Sequence, residues 1–182
     1  MIAVLSLPSD VRGVLESGER ILWFGRPVFI PYIAGNLVKG LLVFVFMLFF
    51  IGFALMFPWS EVPIFISLFF LLFFIGFPAL IGFSAVLYPI LVWRNILYVV
   101  TDRRIIVRKG LVGLDYDFLS LEYVQRVDVQ RGFFDVRYGS GTIVIQAVGV
   151  SSTVIYSVRD PFRVQDIISD AVSRFREPGS RL

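Results

Sequence analysis

From Val62 to Trp93 the chain runs thirty-two residues without a charged side chain, and the next residues, "RNILYVVTDRRIIVRKGL" (94–111), are dense with charge. No water-soluble surface accommodates the first stretch. As a helix it extends about 48 Å, against a bilayer core of about 30 Å. Two helices of at least ~17 residues plus a turn do not fit into it, so it predicts one crossing. Pro78 and Pro89 are expected kink points, and Phe83 to Trp93 is surplus that can continue beyond the interface.

A second apolar stretch precedes it. Gly40 to Phe57 is eighteen uncharged residues, with Lys39 able to snorkel to the headgroups. Between the two lies "PWSEVP" (58–63), whose prolines and Trp59 read as a turn at the membrane surface. The expectation is a transmembrane hairpin over 34–93, with helices at about 37–57 and 62–92. Four Lys/Arg precede the first crossing, thirteen follow the second and none lies in the turn. The positive-inside rule then puts both termini in the cytoplasm of a two-pass cell-membrane protein. Trp59, Trp93 and Arg94 are the expected interfacial anchors. Gly76, Ala79, Gly82 and Ala85 recur every third residue, a seam of small side chains suited to close helix packing within the chain or between copies.

Composition narrows the chemistry. The hydrophobic fraction is 57%, above the roughly 45–50% of soluble domains, and the excess sits in the apolar stretches. There is no Cys and no His, which removes thiolate nucleophiles, His-based acid–base catalysis and the usual zinc sites. A net charge of +3 with interspersed signs is not the basic stripe of a nucleic-acid binder. No enzyme, cofactor or metal is therefore expected. Asp115, Asp117, Glu122 and Asp128 show no metal-loop spacing and read as water-facing.

The segment before the membrane, 1–33, is not apolar enough to span. Ser9 is a candidate cap for a short helix ending at Gly18, with Asp10 in its first turn. "ERILWFGRP" (19–27) is either a strand or an interfacial stretch. After residue 94 the hydrophobic period approaches two. "ILYVV" and "IIV" flank "TDRR" (101–104), a hairpin signature, and further strands are predicted at 116–121, 124–130, 142–147 and 153–158. "RYGSGT" (137–142) lacks the Lys and the helix of a phosphate loop and reads as a flexible hairpin turn. Asp160-Pro161 opens a helix at 161–176, with Val164, Ile167, Ile168, Ala171, Val172 and Phe175 on one face and Pro178-Gly179 as its stop. The domain is thus expected over 94–177, with a tail at 178–182.

Taken together, "GERILWFGRP", two hydrophobic helices, "RNILYVVTDRRIIVRKGLV", "LEYVQRVDVQRGFFDVRYGSGTIVIQA" and "VRDPFRVQDII" resemble the membrane-flanked bacterial pleckstrin-homology-like family. The resemblance implies an α+β membrane protein. Its hairpin would carry a partial barrel of two orthogonal antiparallel sheets, capped by a C-terminal helix. It also makes Arg103, Arg104, Arg108 and Lys109 candidates for anionic headgroups, since related domains use cations near this hairpin for that purpose. Juxtamembrane cations gain about 1 kcal/mol each near an anionic leaflet, but the positive-inside rule accounts for them equally well. The functional expectation is a non-enzymatic scaffold or binding module that recruits a protein partner or lipid headgroups at the membrane. The alternatives are a homo-oligomeric structural protein or an accessory subunit of a transporter.

Overall fold

A computed structural model describes residues 8–56, 59–111, 113–149 and 151–176. In chain order its elements are α1 (Ser9–Val14), β1 (Ile21–Gly25), α2 (Phe29–Met56), α3 (Ile64–Trp93), β2 (Leu97–Thr101), β3 (Arg104–Lys109), β4 (Asp115–Ser120), β5 (Val124–Gln130), α4 (Phe133–Tyr138), β6 (Ser140–Ala147), β7 (Thr153–Arg159) and α5 (Pro161–Arg176). They form two compact units, and the division corrects the expected one. The described residues up to Val28 do not stand apart as a segment 1–33; they fold with those from Asn95 onward. Phe29–Arg94 is the other unit.

In the first unit, β1-β2-β3-β4 make a four-stranded antiparallel sheet and β5-β6-β7 a three-stranded one. "ILWFG" is a strand because it pairs with β2, Phe24 opposite Val99 and Gly25 opposite Tyr98. The "TDRR" hairpin forms as expected. Thr101 Oγ1 accepts from the amides of Arg103 at 3.2 Å and Arg104 at 3.0 Å, which closes the turn. All five residues of β2 are buried, because the strand is covered on both faces. On one side α1 lies against the sheet, and fully buried Val11 packs with Leu97, Val99 and Ile106. Burying that valine contributes about 1.5 kcal/mol or more. The α1 helix is shorter than expected, ending at Val14, and Ser9 is its first residue rather than its cap.

The helix α5 starts at Pro161 as expected and buries Val164, Ile168, Ala171 and Val172. It packs on β5 and on the 3-10 turn Leu121–Tyr123, and the Gln165 side-chain amide donates to the Val127 carbonyl at 2.8 Å. Phe175, assigned to the apolar face, is instead 39% exposed. Between β5 and β6 the expected flexible turn is replaced by α4. The Asp135 carboxylate accepts from the Gly132 amide at 3.2 Å and from Ser140 Oγ at 2.7 Å. Gly139, at φ +64°, ends the helix in the left-handed conformation that glycine adopts without penalty. Ser140 and Gly141 then already belong to β6, so only the first residue of "GSG" turns. The expected tail at 178–182 lies outside the described residues.

The second unit is a pair of helices. Ile64–Trp93 is thirty residues long with a mean hydropathy of 2.7 over its membrane-length window, only 6% of that window being buried. Among the described residues it is the one helix long and apolar enough to cross a membrane; Leu41–Met56 within α2 is a shorter apolar stretch. Inside α3, Leu72–Gly76 forms a π turn. Pro78 has no N–H for the carbonyl four residues back and its ring crowds that turn, a conflict the wider turn relieves. Phe50 stacks on Phe74 with centroids 4.5 Å apart, and Phe29 meets Trp93 edge-on at 4.9 Å. Trp59, in a 3-10 turn, donates from Nε1 to the Ala54 carbonyl at 2.6 Å. The small-residue seam divides. A methyl on Gly82 would sit 3.5 Å from Val43 Cγ1 of α2, whereas one on Gly76 would meet its own helix at Leu72. Ala79 is exposed, and the side chain of Ala85 lies outside the described set.

Candidate functional site: a charge-paired hairpin beside an aromatic cleft

The four cations singled out in the sequence lie along β3 and the turn before it, Arg104 and Arg108 on one face and Lys109 on the other, and each is met by a carboxylate. Arg104 donates from Nε to Glu19 Oε1 at 3.0 Å and from Nη2 to Glu19 Oε2 at 2.9 Å. Its Nη1 lies 3.3 Å from Glu16 Oε1, and its guanidinium sits 5.0 Å above the Phe118 ring. Glu19 has no exposed side-chain surface. Arg103 reaches Glu16 at 3.0 Å, Arg108 reaches Asp10 at 2.6 Å and Lys109 reaches Asp117 at 2.5 Å. Four cations thus face Asp10, Glu16, Glu19 and Asp117.

Strand geometry explains why. Arg104, Ile106 and Arg108 alternate to one face of β3, and α1 with the turn after it supplies Asp10, Glu16 and Glu19 to that face. Arg108 also donates from Nε to the Asn95 carbonyl at 3.0 Å, and Tyr116 of β4 donates to Asp10 at 2.7 Å. The electrostatics follow. The Tyr116 hydroxyl, then Arg108, hold the Asp10 carboxyl below its ordinary value despite some burial. Burial alone pushes Glu19 upward, but hydrogen bonds from Arg104, the Glu16 amide and Thr101 outweigh it and the net shift is downward. The Arg104 guanidinium is raised, chiefly by its bond to Glu19. Tyr116 is raised by burial and by the carboxylate it touches.

Sequence reasoning did not find this acidic partner set. The signal was present: three acids between Asp10 and Glu19 match three arginines between Arg103 and Arg108, but nothing local pairs them. Asp115 and Glu122 are exposed as expected; Asp128, partly buried, is paired with Arg126 at 2.8 Å. Trp59 and Trp93 sit at the helix ends described above, and Arg94 is exposed.

Next to the paired hairpin lies a cleft of about 430 Å³ lined by Glu16, Arg103, Arg104, Phe118, Leu119, Ser120, Tyr123 and Phe175. It runs along β4, an edge of the four-stranded sheet. Phe118 and Tyr123 are nearly half exposed, and both Arg103 and Glu16 keep about half of their side-chain surface open. Such a surface offers aromatic area, one carboxylate, two guanidinium groups already paired with acids, and strand-edge backbone groups. Strand edges beside aromatic side chains are a recurring setting for the docking of extended polypeptides.

Two antiparallel sheets of four and three strands with a C-terminal helix are consistent with a fold of the pleckstrin-homology type, a class of generally non-catalytic binding modules. The family model for the bacterial PH domain matches residues 29–172, and the chain belongs to that family. No curated protein and no solved structure matches it. The match takes in the cations of the hairpin and leaves out the residues from α1 to β1, among which Asp10, Glu16 and Glu19 are three of their four carboxylate partners.

Proposed function

We propose that this protein is a membrane-anchored binding module. Phe29–Arg94 crosses the bilayer twice, and the pleckstrin-homology-like unit at the cytoplasmic face captures an extended segment of a protein partner in the cleft along β4. The observation that carries the anchoring is the pairing of β1 with β2. These strands flank the apolar insertion in the chain yet share one sheet, so the insertion must return to the side it left. If α3 crosses, as its length and hydropathy favour, then α2 crosses as well. The thirteen cations after α3 favour the cytoplasmic side.

Anchoring raises the effective concentration of the domain at the surface to about millimolar, so a shallow cleft suffices for a membrane-bound partner. A second reading, recruitment of anionic headgroups, retains support from Arg103, whose side chain is 49% exposed. It requires a phosphate to compete with Glu16 and Glu19 for the same guanidinium groups, which disfavours it. The Gly82–Val43 approach favours use of the small-residue seam inside the chain over a homo-oligomer.

A photoreactive side chain at Tyr123 of the full-length protein in its own membrane tests the proposal. Protein-sized adducts at Tyr123, absent when the probe replaces exposed Ser169 on α5, are expected. Lipid adducts alone would replace the partner reading with the headgroup one.

A further inference from the structure

The connection between β3 and β4, "GLVGL" (110–114), carries no charge, and both Leu111 (41%) and Leu114 (43%) are exposed. Within it Gly110 and Gly113 approach closely. Gly110 has φ +136°, and a methyl there would lie 2.0 Å from the Gly113 carbonyl oxygen, so only glycine permits the turn. Leu111 directly follows the first of these glycines and Leu114 the second. Exposed leucines on a tight turn have an evident use only if something apolar lies close by.

Asn95 says what that is. Its side-chain amide donates to the Gly110 carbonyl at 3.0 Å, and its own carbonyl accepts from Arg108 Nε at 3.0 Å. Asn95 is therefore clamped to both ends of the last β3 residues, and it follows Trp93, the last residue of the apolar helix, by one intervening residue. Consecutive Cα atoms are about 3.8 Å apart, so two such steps and the Asn95 side chain keep the root of the loop within about 15 Å of the last residue of α3.

We propose that the β3–β4 tip is a second, shallow membrane contact, with Leu111 and Leu114 dipping into the headgroup–acyl boundary of the bilayer that holds α3. This rests on the membrane-anchored reading and adds to it a lipid-facing element in the folded domain. Lys109 and Asp115 flank the tip and limit it to the interface. Two half-exposed leucines would not retain a free domain on a bilayer; beside an existing anchor they fix the orientation of the domain, and so where the β4 cleft faces.

The chain has no cysteine, so single-cysteine probes need no background removal. A fluorophore on Leu111→Cys, Leu114→Cys, Leu80→Cys within α3 or Ser169→Cys on α5 would report depth. The full-length variants would be placed in vesicles of phosphatidylcholine and phosphatidylglycerol containing lipids spin-labelled near or far from the headgroup. The expected result is quenching at Leu80, Leu111 and Leu114 and little at Ser169. At the leucine tip the shallow label should quench about twofold more than the deep one, as befits groups some 5–10 Å into the boundary. Quenching at Leu80 with both tip positions matching Ser169 would overturn the contact and leave the anchor standing. An unquenched Leu80 would overturn the anchor, and the contact with it. Tip probes that are unquenched in vesicles but blue-shifted in native membranes would assign the leucines to a protein and also overturn the lipid contact.

Discussion

Glu19 and Arg104 meet through two parallel hydrogen bonds of 3.0 and 2.9 Å across eighty-five positions of sequence, and the carboxylate side of the pair is wholly buried. The apolar insertion lies between them in the chain. This contact, with Val11 and β1, welds the residues before the insertion to the domain after it.

Replacing Glu19 with Ala leaves a largely buried guanidinium with fewer partners and should destabilise the first unit by about 3 kcal/mol. Arg104→Met should cost a similar amount. The double variant should lose less than the sum by at least about 1 kcal/mol, because the second change removes the orphaned charge. Denaturant unfolding of the detergent-solubilised protein measures all three; simple additivity would show that the two groups do not interact.

The lowered carboxyls set the acid limit. Asp10 and Glu19 titrate below their ordinary values in the folded protein, so the unfolded chain binds more protons as the pH falls. Their stabilisation is complete above the unfolded carboxylate range, about pH 4–5, and is lost as the pH drops through the lower folded values. Asp10→Asn/Glu19→Gln should start less stable at pH 7 and show a flatter decline toward pH 2.5 in pH-resolved melting. Tyr116 has the opposite sense. Its raised value means stability present below about pH 10 is lost as the pH rises further, and Tyr116→Phe should remove that alkaline slope.

Because β1 pairs with β2, residues before and after the insertion must share a compartment. In intact cells an impermeant maleimide should label Glu61→Cys, while Ser17→Cys and Ser169→Cys react only after lysis. Labelling of Ser17 without Ser169, or the reverse, would be incompatible with one sheet containing both strands.

Gly82 approaches Val43 closely enough that one methyl is tolerated and a branched side chain is not. Gly82→Ala should be near neutral, whereas Gly82→Ile should lower the melting temperature at a cost of about 1–3 kcal/mol by wedging α2 from α3. The mass by light scattering should remain that of wild type. A change in assembly size with unchanged stability would assign the seam to contacts between copies.

Much of the architecture was legible from local pattern. The hairpin at Thr101–Arg104 announced itself through a Thr-Asp turn between β-branched runs, and β5 and α5 through their periods and the Asp-Pro start. The helix α4 was hidden, since six residues with two adjacent phenylalanines show no helical period, and Asp135 acts through Ser140, which looked like part of a turn. The site was half legible. Its cations fall within seven consecutive positions of one hairpin, but their charge reads the same in a sequence whether it faces water, lipid or a carboxylate. Phe175 looked like core because helical spacing does not reveal where a helix overhangs the sheet beneath it.

By itself, the sequence determined the class of each segment: where the chain is too apolar for water, where alternation demands a sheet, and which chemistries the absence of His and Cys removes. These are properties of composition and short period, which neighbouring residues carry among themselves. Only the tertiary structure decided that the first described residues belong to the domain on the far side of the insertion, and that Asp10, Glu16 and Glu19 neutralise the hairpin. Such contacts join positions more than eighty residues apart, and a partner at that distance is selected by packing and burial, which no local pattern encodes.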